Sequence, residues 1–147
     1  MITGINHITF AVRDLDASLE FYHRILGLSL VAKWAEGAYL QAGPVWIALN
    51  YDPSVLTSLP LKYSHTAFTV SLNDFQALAT RVIESGAVVW QENRSEGASL
   101  YFADPDNHKL EIHASDLSAR LLEMKVSPPT GFQIAQELDD KAYQTAT

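Results

Sequence analysis

There is no cysteine anywhere in these 147 residues, which removes disulfides, thiolate metal ligands and cysteine nucleophiles at once. Any thiol chemistry must use a thiol brought in from outside, and any metal must be held by nitrogen and oxygen. Positive charge is also scarce: ten Lys and Arg stand against seventeen Asp and Glu, for a formal net charge of −7. A sequence-independent nucleic-acid binder needs a basic face to neutralise phosphates, so no nucleic-acid partner is expected. An anionic small substrate would still need a local cationic cluster. Long uncharged apolar runs are missing too, and Met1-Ile2-Thr3-Gly4-Ile5-Asn6 lacks the basic and apolar regions of a secretory signal. No membrane partner is expected, and the expected location is the cytoplasm.

What is present is a duplication. His7-Ile8-Thr9-Phe10-Ala11-Val12 is nearly repeated by His65-Thr66-Ala67-Phe68-Thr69-Val70. The only ionisable residue the two copies share is an imidazole, a favoured ligand of first-row divalent metals. Two equivalent units converging on one metal ion would explain the repeat, with Glu111 on a third strand able to meet them. The 48% apolar content supplies a core for one domain or two small fused repeats.

The hydrophobic pattern predicts a strand from Ile5 to Val12, then a helix capped by Asp14 or Asp16 and ended by Gly27. Its apolar face is Leu15, Leu19, Tyr22 and Leu26. Strands at Leu28 to Trp34, Ala38 to Gln41 and Val45 to Asn50 follow, with Gly37 and Gly43-Pro44 as punctuation. That is βαβββ. After a connector from Tyr51 to Lys62 the plan repeats: a strand at Tyr63 to Val70, a helix from Leu72 to Ser85 capped by Asn73, and strands near Val88, Leu100 and Lys109. Phe75, Leu78, Ala79 and Val82 form the second buried stripe. Ser115 to Lys125 reads as a last helix with Asp116 in its first turn, and the polar tail after Gly131 is expected to fray. The expected class is therefore α+β, one domain of two βαβββ repeats (about 1–52 and 62–113) plus a C-terminal helix. Three or four strands with one helix leave a sheet face or edge uncovered, so two such units should pair within a chain or between chains.

Two His and one carboxylate leave coordination positions open, which suits catalysis better than a closed structural site. His65 and Glu111 lie in one half; His7 must come from the other half or from a second subunit. His113 follows Glu111 by two, shares its strand face and is a rival ligand. His108 sits in the turn Asp104-Pro105-Asp106-Asn107-His108, where turn chemistry is the simpler role, and His23 is most simply a helix surface residue. The loop Asn93-Arg94-Ser95-Glu96-Gly97-Ala98-Ser99 is dense in oxygen donors. It is either a polar hairpin connection, a wrap for a hard cation, or a source of Ser95 and Ser99 hydroxyls for an anion. Tyr39, Tyr63, Tyr101 and Arg120 are packing or surface residues unless they turn towards an anionic group, where the guanidinium fork gives a two-point hold.

From Met1 to about Phe132 these residues resemble the glutathione-dependent fosfomycin resistance transferases of the vicinal oxygen chelate superfamily, which also holds glyoxalase I, extradiol dioxygenases and bleomycin resistance proteins. The matching stretches are Gly4-Ile5-Asn6-His7-Ile8-Thr9, Gly37-Ala38-Tyr39-Leu40, Trp46 with Leu49, Tyr63-Ser64-His65, Asn93-Arg94-Ser95-Glu96-Gly97, and Tyr101-Phe102 through Asp104-Pro105-Asp106 to Glu111. The Asn-Arg-Ser-Glu-Gly run is the specific one; the two His and the Glu identify only the superfamily. The resemblance implies the vicinal oxygen chelate fold completed by exchanged halves in a homodimer, with His7 from one chain and His65 and Glu111 from the other holding Mn²⁺. It implies K⁺ at the loop carrying Asn93, Ser95, Gly97 and Ser99, and addition of the glutathione thiol to the epoxide of fosfomycin. Thr9 matches the residue that hydrogen-bonds the epoxide oxygen, Tyr39 one near the thiol and Trp46 one lining the substrate pocket. Ser95, Ser99, Tyr101 and Arg120 match residues around the phosphonate and K⁺, and Tyr63 and Gln91 are expected to line the substrate site.

The chain departs from the family at two places. The lysine that usually follows the tryptophan matched by Trp90 is Gln91 here, and loss of that charge should weaken anion binding by roughly 1 to 3 kcal/mol unless another cation replaces it. A late tyrosine near the thiol site is Pro129. Gly37 stands where water-using relatives carry a glutamate base, and Glu36 should face the other side of the strand, so thiol addition is expected over hydration. The alternatives are a related metalloenzyme acting on another small anionic electrophile, and a non-catalytic protein that sequesters a drug.

Overall fold

The structure, a computed structural model, describes residues 5–55, 64–94 and 97–134. Strand β1 (His7–Val12) runs into helix α1 (Leu15–Leu19), which continues as a π-helical stretch over Glu20–Ile25. Strands β2 (Ser29–Trp34), β3 (Gly37–Ala42) and β4 (Val45–Tyr51) follow. The second half repeats the order with β5 (Thr66–Thr69), α2 (Leu72–Glu84), β6 (Val89–Gln91), β7 (Ala98–Ala103) and β8 (Lys109–Ala114), and α3 (Leu117–Val126) closes the described chain. Each half makes a four-stranded mixed sheet, in the orders β1-β4-β3-β2 and β5-β8-β7-β6. The first strand of each half pairs in parallel with the last, and the other pairings are antiparallel. That is the α+β arrangement of paired βαβββ units expected from the hydrophobic pattern.

One face of each sheet is apolar because side chains alternate along a strand. Phe10, Val12, Ala38, Leu40, Ile47 and Leu49 from the first sheet, with Phe102, Leu110 and Ile112 from the second, join helix residues in one core. Burying a side chain such as Leu40, which is fully enclosed, contributes about 1.5–3 kcal/mol. Leu15, Leu19, Tyr22 and Leu26 are all buried as their spacing requires, but so is Phe21, which falls outside it. The π-helical stretch accounts for this: Leu26 N bonds to Phe21 O, five residues back, at 2.9 Å. More residues per turn bring Phe21 alongside Tyr22 on the inner side.

The capping geometry decides between the two caps expected for the first helix and corrects two further expectations. The first helix is capped by Asp14, whose carboxylate accepts from Ala17 N at 3.0 Å. The second is capped by Ser71 and not Asn73, because the Ser71 hydroxyl accepts from Asp74 N at 3.1 Å while its backbone is extended; Asn73 lies inside the first turn. Asp116 is the cap of α3 and not a first-turn residue, accepting from Ala119 N. The Tyr63 start of the fifth strand, most of the Tyr51–Lys62 connector and the tail beyond Ile134 lie outside the described residues.

The halves are fastened by two buried carboxylates of the 104–108 turn. Asp106 accepts from Arg13 N and Nε, the latter at 2.9 Å, and Asp104 accepts from the Tyr22 hydroxyl at 2.9 Å. Asp104 also takes His108 Nδ1 at 2.7 Å and the backbone N–H groups of Asp106 and His108. Burial first, then the Asp104 charge, hold the Tyr22 hydroxyl well above the ordinary phenol range. A pKa raised on folding gives stability that is complete below the unfolded value, about 10, and is lost as pH climbs through the folded value. Denaturant melts taken from pH 9 to 11 should therefore show stability falling, and Tyr22→Phe should flatten that fall; an unchanged slope in the variant would assign it elsewhere.

Candidate metal and substrate site

Alternation that turns one face of each sheet to the core turns the other away from it, and His7, Thr9, Tyr39, Trp46, Ser99, Tyr101 and Glu111 stand on these outer faces. On the first sheet, strand register aligns His7 with Trp46, Thr9 with Ala48, and Tyr39 with Ala48, so His7, Thr9, Tyr39 and Trp46 share a face. Their rings form a row: His7 stacks on Trp46 at 4.2 Å between centroids, Tyr39 meets Trp46 edge-on at 4.6 Å, and Trp34 meets Tyr39 at 4.8 Å. Asn6 Oδ1 lies 2.7 Å from His7 Nδ1. With an amide oxygen as partner, Nδ1 carries the proton and the Nε2 lone pair is left for a metal.

On the second sheet, Tyr101 is opposite Glu111, and Ser99 is opposite His113. His65 Nε2 and Glu111 Oε2 converge to 2.9 Å, with side-chain exposures of 17% and 7%. A ring nitrogen and a carboxylate oxygen brought this close with little water around them suit a divalent cation. Ser99 Oγ donates to Glu111 Oε1 at 2.7 Å. His65, Trp90 and Tyr101 form a three-ring cluster with centroids 5.2 to 5.7 Å apart. Gln91 is opposite Tyr101, and the Lys109 ammonium sits 4.8 Å over the Trp90 ring. Trp34, Trp90 and Lys109 were not singled out from the sequence as site residues; strand parity with Glu111 could have found Lys109.

Within one chain the two sets stay on separate sheets. Among the described residues no three His, Asp or Glu side chains form a group able to hold a metal. His113 is 3.4 Å from Glu111 Oε1 but directs Nδ1 at Ser99, 2.6 Å away. Arg120 pairs along its own helix, Nη1 to Glu123 Oε2 at 3.7 Å. Ser95 and Tyr63 lie outside the described residues. In the same loop segment of the sequence, Asn93 Nδ2 donates to Gly97 O at 2.9 Å, and Gly97 has φ +77, where a Cβ would stand 2.7 Å from Ser115 Cβ. His108 and His23 take structural roles, on Asp104 and on Leu28 O.

Gly37 decides a chemical question. A Cβ there would lie 2.7 Å from Trp34 Cε2 and 2.8 Å from Leu49 O, so the indole fills the place of any side chain at this position. A cleft of about 720 Å³ elsewhere runs along the apolar side, past Ile8, Ile47, Phe68 and Leu78, and includes none of His7, His65 or Glu111. No helix among the described residues is long and apolar enough to cross a membrane.

Comparison with known proteins adds three observations. A profile of the glyoxalase/bleomycin resistance protein/dioxygenase superfamily matches residues 4–112. The chain is 46% identical over 133 residues to the glutathione transferase FosA of Serratia marcescens, covering 89% of this chain and 94% of that one, and 37% identical to the metallothiol transferase FosB of Staphylococcus epidermidis, covering 88% and 96%. Among solved structures it superposes with TM-score 0.75 and 28% identity on a variant of the fosfomycin resistance protein FosX of Listeria monocytogenes complexed with Mn(II) and 1S,2S-dihydroxypropylphosphonic acid, covering 84% of this chain and 98% of that one.

Proposed function

Because the chain belongs to the glyoxalase/bleomycin resistance protein/dioxygenase superfamily, we propose that it is a metal-dependent thiol transferase that adds glutathione to the epoxide of fosfomycin. The observation that carries this reading is the convergence of His65 and Glu111 at 2.9 Å on a sheet face shared with Ser99 and Tyr101, in a chain 46% identical to a glutathione transferase. The reaction is an addition: sulfur bonds to an epoxide carbon, that carbon's bond to oxygen breaks, and the thiol proton ends on the new hydroxyl. His7, His65 and Glu111 are the ligands assigned to a divalent cation, Mn²⁺ by the example of the FosX complex; when bound it supplies Lewis acidity towards the epoxide and phosphonate oxygens. Thr9 donates a hydrogen bond to the opening oxygen, Tyr39 orients the thiol, and Trp46 walls the pocket. Ser99, Tyr101, Gln91, Arg120, Ser95 and Tyr63 are assigned to the phosphonate, and the loop of Asn93, Ser95, Gly97 and Ser99 to K⁺.

Since His7 stands on edge strand β1 and His65 just before edge strand β5, a second copy of the chain is the natural means of bringing the two sets together. We assign the active form as a homodimer with exchanged halves, each chain one domain of two repeats, working in the cytoplasm. Hydration of the epoxide is disfavoured because Trp34 occupies the position from which a base at residue 37 would act.

Mass spectrometry of fosfomycin incubated with glutathione, Mn²⁺ and K⁺ should show the one-to-one adduct and no diol; metal-loaded protein giving no adduct would end this reading. Gln91→Lys should lower KM for fosfomycin about tenfold, the low end of what one charge-assisted hydrogen bond provides. A second reading, another small anionic electrophile as natural substrate, is favoured by Gln91 itself and by the Lys109 ammonium already on that face. A rise in kcat with fosfomycin in Gln91→Lys would support it. Stoichiometric drug capture without turnover is the outcome expected of a sequestering protein.

A further inference from the structure

Resting on the assignment of Glu111 as a metal ligand, we infer that His113 is a positioning residue that orients Glu111 through Ser99. Ser99 Oγ lies 2.7 Å from Glu111 Oε1 and 2.6 Å from His113 Nδ1. A serine hydroxyl has a single proton, and an ionised carboxylate can only accept. The Ser99 proton therefore points at Glu111, and His113 must donate from Nδ1 to the Ser99 oxygen. The chain of donors runs one way, from His113 Nδ1 to Ser99 Oγ to Glu111 Oε1. Its end fixes one carboxylate oxygen and leaves the other, Oε2, turned to His65 Nε2 at 2.9 Å.

The surroundings keep this line in place. Side-chain exposures of 18% for His113 and 7% for Glu111 leave little water to compete, and Gly97 backs the ring so closely that a Cβ would stand 3.3 Å from His113 Cε1. Although His113 shares a strand face with Glu111, its ring nitrogen is directed to serve the ligand and does not add a fourth one. Ser99 is engaged in the same way: its proton is committed to the carboxylate, and what it has left for the loop's cation is the second lone pair of its oxygen.

Two measurements test this on the full-length protein. Ring ¹⁵N spectra of histidine-labelled protein, taken before metal is added, should show His113 with the proton on Nδ1; a proton on Nε2 alone would overturn the inference. Electron paramagnetic resonance titration with Mn²⁺ should show affinity at least about tenfold weaker in His113→Phe, as for other partners of metal ligands. His113→Asn, which returns an N–H donor near the Nδ1 position, should recover most of that loss at an equal melting temperature. If the Phe variant does not fold, Ser99→Ala breaks the same link from its other end and is read identically. Wild-type affinity in His113→Phe, or an Asn variant no better than Phe, would overturn the role. Wild-type protein that binds no Mn²⁺ would instead overturn the ligand assignment, while the ring spectra would still judge the hydrogen-bond order.

Discussion

Co-folding equal amounts of His7→Ala and Glu111→Ala chains, each inactive alone, should restore roughly a quarter of wild-type activity, because random pairing makes half the dimers mixed. In an exchanged dimer one site then collects both lesions and the other collects none. If each chain instead assembled its own site, every site in a mixed dimer would carry one lesion and activity would stay at zero. The expectation follows from the placement of His7 on one sheet and of His65 with Glu111 on the other, with no group of three ligands among the described residues of one chain. Steady-state turnover of the co-refolded mixture, set against each variant refolded alone, decides between the two. No recovery in a mixture shown by mass to contain mixed dimers would rule out exchange.

The second large effect is on stability. Asp104→Ala should cost about 3–5 kcal/mol, the range for removing one partner from a buried charged network. Tyr22 has no exposed surface and Asp104 only 3%, so the substitution strands the Tyr22 hydroxyl, His108 Nδ1 and two backbone N–H groups together. Since a domain of this size is held by about 5–15 kcal/mol in total, the urea midpoint should fall by roughly a fifth or more. Asp104→Asn, which keeps an oxygen for the backbone donors, should cost about 1–3 kcal/mol. A midpoint for the Ala variant within experimental error of wild type would show that the halves are fastened by something else.

How much of this was legible beforehand depends on whether the signal is periodic. Alternation along His7–Val12 and Val45–Tyr51 marks strand faces directly, so the succession of elements in each half and the shared face of Glu111 and His113 could be read without coordinates, whereas the pairing of each first strand with the last could not. The π-helical stretch could not, since Glu20–Ile25 differs from an ordinary helix by one hydrogen-bond offset that tertiary packing of Phe21 and Tyr22 imposes. Asp104 and Asp106 look like turn formers in sequence, and they do form the turn. Their second task, binding Arg13 and Tyr22 some ninety residues away, is a long-range pairing that no local pattern encodes. Ser71 and Asn73 are both good capping residues by type, and only the extended backbone of Ser71 separates them. For His113, sharing a face with Glu111 was visible, but the interposed Ser99 hydroxyl was not, and it turns a rival ligand into a supporting group.

All three tryptophans of the chain, Trp34, Trp46 and Trp90, belong to the outer sheet faces, and none is part of the apolar core. Ultraviolet emission from this protein consequently comes from the faces that carry His7, Tyr39, His65 and Tyr101, and not from the apolar core. A ligand or partner that covers those faces should therefore shift the colour and intensity of that emission while the core, followed by circular dichroism, stays unchanged.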